Sequence, residues 1–279
     1  MNFRKTLFLF ITILGFYFIK AQELPKERLP QFTLKKYEQN YKNDTLTLRI
    51  ENPLFCPLRL RLFSTYLKEE KLIDDTIKVN IIEKSSIEFK YYAKDIDEDK
   101  INFKFDIALG DENKKIIKNK LSLPFLKDKM YHIIQEQQGN HSHNDNYSKY
   151  AIDFTMPVGD TIVSADDGYV VGVIKDYQYG GIDIKWKPYA NFITIYHPHS
   201  GLFTQYAHLK QNGSFVKVGD PVKRNQPIGL SGETGYVSGA HLHFNVLIPE
   251  KNKTLISVPY NFENNLDAKS LKRNMNVRK

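Results

Sequence analysis

The sequence predicts an all-β fold in which a small β-sandwich-like domain precedes a larger antiparallel β domain. Three observations lead to this prediction. The composition favours strands, with 17 Tyr and 18 Phe against only 15 Gly. Residues 41–120 alternate apolar and polar side chains, and the residues after 121 combine tight turns with no helical period. A hydrophobic content of 41% and a charged content of 26% are typical of a folded globular protein.

Residues 1–21 read as an export signal. Arg4 and Lys5 precede an almost unbroken apolar run over 6–19, and Ala21 offers a small residue for cleavage. Because the run is shorter than the roughly 20 residues that span a bilayer, a cleaved signal peptide is favoured over a membrane anchor. The protein is therefore expected in the periplasm or cell envelope, with release outside the cell as the alternative.

Two segments follow the signal. Residues 22–40 are polar, contain two prolines and predict a linker arm, whereas residues 41–120 predict the accessory sandwich-like domain. The alternation that predicts its strands is clearest in four stretches: 45–50, 58–62, 87–92 and 102–107. No group of reactive side chains occurs there, so a structural role and a docking role both remain open.

From residue 121 onward the pattern changes to short strands joined by turns such as Val158-Gly159-Asp160 and Val218-Gly219-Asp220. This pattern predicts a mostly antiparallel β domain over residues 121–264. Residues 265–279 are polar and basic, and we expect a solvated tail that frays at its end.

The charge and the single cysteine limit the function. A formal net charge of +8 suits an anionic polymer as a partner, although an ordinary basic protein has the same balance. Export and the lack of any recognition motif exclude nucleic acid. Cys56 cannot form an internal disulfide, and its apolar, proline-flanked position predicts a buried small side chain rather than a nucleophile.

The pair in His241-Leu242-His243-Phe244 lies in a predicted strand. Residues i and i+2 of a strand point to the same face, so His241 and His243 project together. Two imidazoles on one face can bind a metal or transfer protons. A pair of this kind also arises by chance or from packing, so it does not decide the chemistry alone.

A carboxylate in an apolar run adds to this pair. Asp153 lies within Ala151-Ile152-Asp153-Phe154, and a buried acid is costly unless it is paired or binds a cation. His143 precedes it and His208 follows in Tyr206-Ala207-His208-Leu209. One carboxylate with several imidazoles and no neighbouring cysteine indicates zinc or a similar divalent ion.

The remaining histidines have simpler interpretations. His197 and His199 also form an HxH pair, but Pro198 between them interrupts strand pairing. We expect His197 in a loop or groove, His199 in solvent and His132 in a structural position. The motifs of a zincin, a nucleotide-binding loop and a serine hydrolase are absent from the sequence.

Residues 139–264 resemble the lysostaphin-type (M23) peptidoglycan metallopeptidases. The motifs that carry the resemblance occur in the family's order: Ser142-His143, Ala151-Ile152-Asp153-Phe154, Pro157-Val158-Gly159-Asp160, Ala165-Asp166-Asp167-Gly168, Tyr206-Ala207-His208-Leu209, Val216-Lys217-Val218-Gly219-Asp220, Gly229-Leu230-Ser231-Gly232 and His241-Leu242-His243-Phe244. The resemblance covers nearly half of the chain and implies that the second domain is a β peptidase domain.

The resemblance also implies the roles of the site residues. It assigns His143, Asp153 and His243 to a zinc ion (Zn²⁺), with water in the fourth position. It assigns His208 and His241 to proton transfer and oxyanion stabilisation beside that water, without binding the metal.

One departure affects the first ligand. Many members place this histidine four residues before the aspartate, whereas His143 lies ten residues before Asp153. The insertion lengthens the loop, as in some relatives, and leaves His141 as the competing first ligand.

Two functions follow as alternatives. The first is a zinc endopeptidase that hydrolyses the peptide cross-links of peptidoglycan, the expected partner. The second is a non-enzymatic regulator that binds the wall or activates wall amidases, which would give the chain a wall-associated protein partner. Relatives of the second kind typically lack one of the five site positions, whereas this sequence keeps all five.

Overall fold

Strands form 42% of the structure and helices 7%, which confirms the predicted all-β class. The computed structural model describes residues 22–34, 37–251 and 254–279. The predicted export signal, residues 1–21, lies outside these ranges. Within them, no helix is long and apolar enough to span a lipid bilayer.

The first part of the chain, here called the sandwich region, contains two three-stranded antiparallel sheets of order β1-β2-β5 and β4-β3-β6. Its elements are β1 (Glu38–Lys42), β2 (Thr45–Glu51), β3 (Leu58–Phe63), α1 (Thr65–Glu69), β4 (Ile77–Ile81), β5 (Ser86–Tyr92), a 3₁₀ turn (Glu98–Lys100) and β6 (Lys104–Leu109). Alternate residues of β2 and β3, including Leu46, Leu48, Leu60 and Leu62, are buried in one core. This is the predicted sandwich, with β6 starting two residues later than the alternation indicated.

The second part of the chain is the C-terminal region. Its strands are β7 (Lys120–Leu121), β8 (Met130–Gln135), β9 (Ile152–Thr155), β10 (Thr161–Val163), β11 (Gly168–Ile174), β12 (Gly180–Gly181), β13 (Phe192–His197), β14 (Leu202–Ala207), β15 (Leu209–Ser214), β16 (Pro221–Val222), β17 (Pro227–Ser231), β18 (Gly235–Tyr236), β19 (His241–Pro249), β20 (Leu255–Ser257), β21 (Asn261–Phe262) and β22 (Asn276–Arg278). Its 3₁₀ segments are Ile184–Tyr189 and Ala268–Ser270.

A large sheet dominates this region. Its order is β16-β11-β13-β14-β19-β9-β8-β22, with β20 beside β19, and all its pairings are antiparallel, as predicted. A smaller antiparallel sheet joins β10, β17 and β15. Two short parallel pairings, β12 with β18 and β7 with β21, depart from the antiparallel expectation.

Strict alternation gives the large sheet two different faces. On β19, Leu242, Phe244 and Val246 enter the main hydrophobic core. His241 precedes Leu242 and His243 follows it, so both alternate with the core residues and project from the opposite face. The same two-residue period puts the polar residues of the site on one surface and the apolar residues beneath it.

The sandwich region covers the far end of that opposite face. Tyr196, Phe203 and Leu247 lie there and form a second hydrophobic cluster with Cys56 and Leu58 of the sandwich region. Cys56 is fully buried, as its sequence context predicted. This contact ties the two regions together through apolar side chains of both.

The amino-terminal arm, here residues 22–34, is bound to the C-terminal region. The Leu29 N–H donates to the Tyr177 hydroxyl at 2.7 Å, and the Val173 N–H donates to the Gln31 carbonyl at 2.8 Å. This part of the predicted linker therefore lies along β11 and is not a free connection.

The carboxyl-terminal residues differ from the expected frayed tail. Within the stretch 265–279, strand β22 extends the large sheet by pairing with β8. The Val277 side chain is buried in the main core, and the Lys279 ammonium donates to the Leu123 carbonyl at 2.6 Å. Burial of one apolar residue and pairing of the backbone stabilise an end that composition alone marks as solvated.

Candidate metal centre

A loop and two paired strands bring a carboxylate and two imidazoles together. Asp153 of β9 lies directly opposite His243 of β19, and Asp153 Oδ1 lies 2.8 Å from His243 Nδ1. His143, on the loop between β8 and β9, places Nε2 3.3 Å from Asp153 Oδ2 and 3.3 Å from His243 Nδ1. The three donor atoms lie within 4.8 Å of one another, close enough to share one ion.

Hydrogen bonds fix the loop that carries His143. The Gln135 side chain, with its oxygen toward the loop, accepts from the N–H groups of Ser142 and His143 at 3.2 and 3.0 Å. Asp145 Oδ1 accepts from the N–H groups of Tyr147 and Ser148 at 3.0 and 2.8 Å, which closes the following turn. The role of Gln135 was not predicted from the sequence, because a glutamine at the end of an apolar strand gives no signal of what it contacts.

The protonation of His143 follows from its neighbours. Its Nδ1 lies 2.8 Å from the Glu136 carbonyl oxygen, which can only accept, so Nδ1 carries the hydrogen. Nε2 is then left with its lone pair toward Asp153 and His243. A second hydrogen bond of this type commonly orients metal-binding histidines.

The chemistry of the donor set fits zinc. Asp153 is buried, which favours its neutral form, but the adjacent His143 and His243 outweigh burial and hold its pKa well below its usual range. Burial also opposes protonation of His143, yet the attraction of Asp153 raises the pKa of that imidazole. A buried carboxylate that meets two imidazoles, with no lysine or arginine paired to it among the described residues, is a natural site for a divalent cation.

His208 and His241 lie beside these three residues. Their ring centroids are 4.6 Å apart, and the His208 centroid is 5.8 Å from that of His243. His208 donates Nδ1–H to the Thr234 carbonyl and His241 donates Nδ1–H to the Gly239 carbonyl, each at 2.8 Å. Each ring therefore keeps Nε2 as a lone-pair atom.

The backbone and charge state of His208 are both unusual. It follows the end of β14 with φ +65°, a left-handed conformation that few non-glycine residues adopt. Burial, together with His241 and His243, lowers its pKa well below the usual value, so the ring is neutral near pH 7. A neutral, fixed imidazole can accept a proton at Nε2.

Four of the five site residues line one groove, which has a volume of about 640 Å³. The fifth, His143, is buried. One wall is the loop around Asp145 and Tyr147, and the other includes Tyr236 and the 3₁₀ segment at 184–189. Lys187 of that segment lies 3.0 Å from Asp145, which links the two walls.

The structure separates the other histidines from this centre. His141 is exposed at the groove rim and stacks on Tyr236 with centroids 5.7 Å apart, away from the three donor atoms. His197 ends β13 fully buried and so differs from the expected loop position. His199 and His132 are exposed.

Comparison with known proteins assigns the part of the chain that carries Asp153, His208 and the pair His241 and His243 to a known family. Residues 147–256 match the model of Peptidase family M23. An uncharacterized metalloprotease of Buchnera aphidicola is 34% identical over an alignment that covers 76% of this chain and 54% of that protein. The peptidoglycan DD-endopeptidase ShyA of Vibrio cholerae is 38% identical over 34% of this chain and 19% of its own length.

One solved structure is also similar to part of this chain. The catalytic domain of lysostaphin from Staphylococcus simulans is 27% identical, with a TM-score of 0.33, over 46% of this chain and 87% of that one. The family match over residues 147–256 gives the class, a domain of a metallopeptidase family. The chain carries a domain of Peptidase family M23. It spans about half or less of the length of the curated relatives named above.

Proposed function

We propose that this protein is a zinc-dependent endopeptidase that hydrolyses peptide cross-links of bacterial peptidoglycan in the cell envelope. The observation that carries the proposal is the arrangement of five side chains in one groove region. Three of them, His143, Asp153 and His243, form a donor set, and His208 and His241 stand beside it with Nε2 available. Relatives named as peptidoglycan endopeptidases support the choice of substrate.

In this proposal His143 Nε2, one Asp153 oxygen and His243 Nδ1 hold the zinc ion. When bound, the ion would supply a Lewis acid that polarises the scissile carbonyl and lowers the pKa of water. His208 and His241 are not needed as ligands, so their rings are free for proton transfer.

The two remaining imidazoles supply the proton chemistry. Neutral His208 accepts a proton from the attacking water at Nε2, and the same proton is then available for the leaving amine nitrogen. His241 is held by the Gly239 carbonyl beside His208, and its role is to stabilise the oxygen that becomes negative in the transition state.

The test compares zinc content and cleavage in purified protein. Zinc-loaded protein should cut cross-linked muropeptides, measured by chromatography and mass spectrometry of the products. His208→Ala should keep about one zinc while activity falls by roughly 10²–10⁴-fold, the usual contribution of a general acid–base group. His199→Ala, an exposed histidine, is the matched control and should change neither quantity.

An absence of cleavage would contradict the proposal. If zinc-loaded protein leaves cross-linked muropeptides and oligoglycine peptides uncut, the endopeptidase proposal is wrong. The alternative of a regulator that binds the wall or activates amidases would then be tested by adding a purified amidase.

A further inference from the structure

The groove extends beyond the metal centre to the amino-terminal arm. The arm residue Gln31 lines the same groove as Asp153 and His243, although it lies more than 100 residues earlier in the sequence. Its backbone is fixed, because the Gln31 carbonyl accepts from the Val173 N–H at 2.8 Å. The arm therefore supplies part of the wall at one end of the groove.

The side chain of Gln31 lies over a glycine of the sheet. A Cβ added to Gly172 would clash with Gln31 Oε1 and would stand 3.1 Å from Gln31 Cδ. Only a residue without a side chain at position 172 leaves room for this amide. Among the described residues, the Gln31 amide has no hydrogen-bond partner.

The floor beneath this position is a polar row that crosses the sheet. Gly172 lies opposite Thr194, Thr194 opposite Gln205, and Gln205 opposite Asn245. The neighbouring row on the same face contains Ala207, His243 and Asp153. Two residues along a strand span roughly 7 Å, so the polar row lies one row away from the metal centre.

Gln205 is the member of this row that reaches the groove. Its side chain is buried, its Nε2 lies 3.4 Å from Thr194 Oγ1, and it hydrogen-bonds the Tyr147 hydroxyl. Both amide hydrogens are used by these contacts, so Oε1 is left as an acceptor without a partner in the described part of the chain. This oxygen can accept a hydrogen bond from a ligand that occupies the groove.

The next row on this face is closed. Tyr196, Phe203 and Leu247 continue the sheet surface and are covered by Leu58 and Leu109 of the sandwich region. The polar row is therefore the last part of the face that a ligand can reach in this direction.

We propose that Gln31 and Gln205 form a substrate-binding subsite, here called the amide subsite, which hydrogen-bonds the main-chain amides of the peptide on one side of the scissile bond. An amide side chain matches the N–H and C=O groups of a peptide, and the row Gly172–Thr194–Gln205–Asn245 carries no charge. This inference rests on the proposed peptidase function and adds a specificity-determining role for the amino-terminal arm.

The test measures dependence on substrate length. The substrates are a cross-linked dimeric muropeptide and two synthetic versions, each shortened on a different side of the cross-link. Gln31→Ala and Gln205→Ala should each lower kcat/KM for the full dimer by roughly threefold to tenfold, the effect of one lost hydrogen bond. One shortened substrate should lose this sensitivity, because it no longer reaches the amide subsite.

Two further variants separate binding from folding. Gly172→Ala should displace only the flexible Gln31 amide and should reproduce the effect of Gln31→Ala, without adding to it in the double variant. Thr33→Ala alters an exposed arm residue outside the groove lining and should match wild type. Affinity for the uncut dimer, measured by calorimetry in the His208→Ala background, should weaken by the same factor for Gln31→Ala.

Each other outcome overturns the amide subsite. Equal losses on all three substrates would indicate a merely structural role, and faster cleavage by Gln31→Ala would make the arm an obstruction. In both cases the peptidase function stands. A wild-type protein that neither binds nor cuts the dimer would overturn the function and the subsite together.

Discussion

The histidines of the centre differ in which ring nitrogen is held by the backbone. His143, His208 and His241 each donate Nδ1–H to a carbonyl, which leaves Nε2 for chemistry. His243 instead presents Nδ1 to Asp153. The backbone around each ring, more than the residue type, therefore decides which atom can bind an ion or take a proton.

Replacing the competing first ligands separates their roles. We expect His143→Ala to lose the bound zinc, because Asp153 and His243 alone leave the ion with two protein ligands. His141→Ala should retain about one zinc, since that ring stacks on Tyr236 at the rim. Elemental analysis of the purified variants by mass spectrometry measures both. A zinc-free His141→Ala with a zinc-loaded His143→Ala would reverse the assignment.

The buried His197 predicts a pH dependence of stability. It donates to the Asp167 carbonyl and contacts Thr204, and burial lowers its pKa below the usual 6.5. Since the unfolded chain binds the proton more readily, this histidine stabilises the fold above pH 6.5, and the contribution is lost as pH falls toward its folded-state pKa. The loss amounts to at most about 1.4 kcal/mol per pH unit in that window.

Urea midpoints between pH 7.5 and 5.5 measure this effect. We expect His197→Gln to be less stable than wild type at pH 7.5 but to lose less stability on acidification. The difference between the two proteins isolates His197 from other titrating groups. Parallel curves over this range would contradict the prediction.

At the scale of elements, the edge strand β22 shows that a few contacts are enough to order a basic terminus. Val277 is buried against the main core, whereas its neighbour Arg278 is exposed. The polar composition of the last residues predicted fraying, but one apolar side chain and the antiparallel pairing with β8 hold the strand.

Two substitutions in this strand test that account. Val277→Ala should lower the free energy of unfolding by about 1.5–3 kcal/mol through lost burial and an added cavity. Arg278→Ala, the matched exposed position, should change it by less than about 0.5 kcal/mol. Urea denaturation measures both. Equal and small effects would show that β22 contributes nothing to the fold.

At the scale of the whole molecule, the opposite face of the large sheet serves two purposes. The part of this face around Asp153 and His243 carries the metal centre, and the part around Phe203 and Leu247 is covered by the sandwich region. Cys56 lies fully buried in that contact, and burial raises the pKa of its thiol. The cysteine is thus a reporter of any separation of the two regions.

Thiol labelling in native protein uses this reporter. Wild-type Cys56 should react very slowly with an aromatic disulfide reagent, since reaction requires opening. Phe203→Ala should speed labelling by at least about tenfold, because it removes a buried ring from the contact. Val277→Ala, a destabilising change outside this cluster, is the control and should leave the rate near that of wild type. Rapid labelling of wild type would contradict the buried contact.

Local patterns predicted much of this molecule. Alternation located the strands around residues 45–51 and 58–63, and the i, i+2 spacing placed His241 and His243 on one face. These features depend only on residues close together in the sequence, so the two-residue period of a β-strand is enough to predict them. The order of the motifs was enough to indicate the family through resemblance.

Other features depend on contacts between distant residues. The sequence by itself determined the all-β class and a candidate set of five site residues. Only the tertiary structure decided that His143 rather than His141 stands beside Asp153, that Gln31 of the arm enters the groove, and that the last strand joins the sheet. The physical reason is that loop conformation and strand pairing between remote segments set these positions. The alternation along one strand does not indicate which distant segments will contact it.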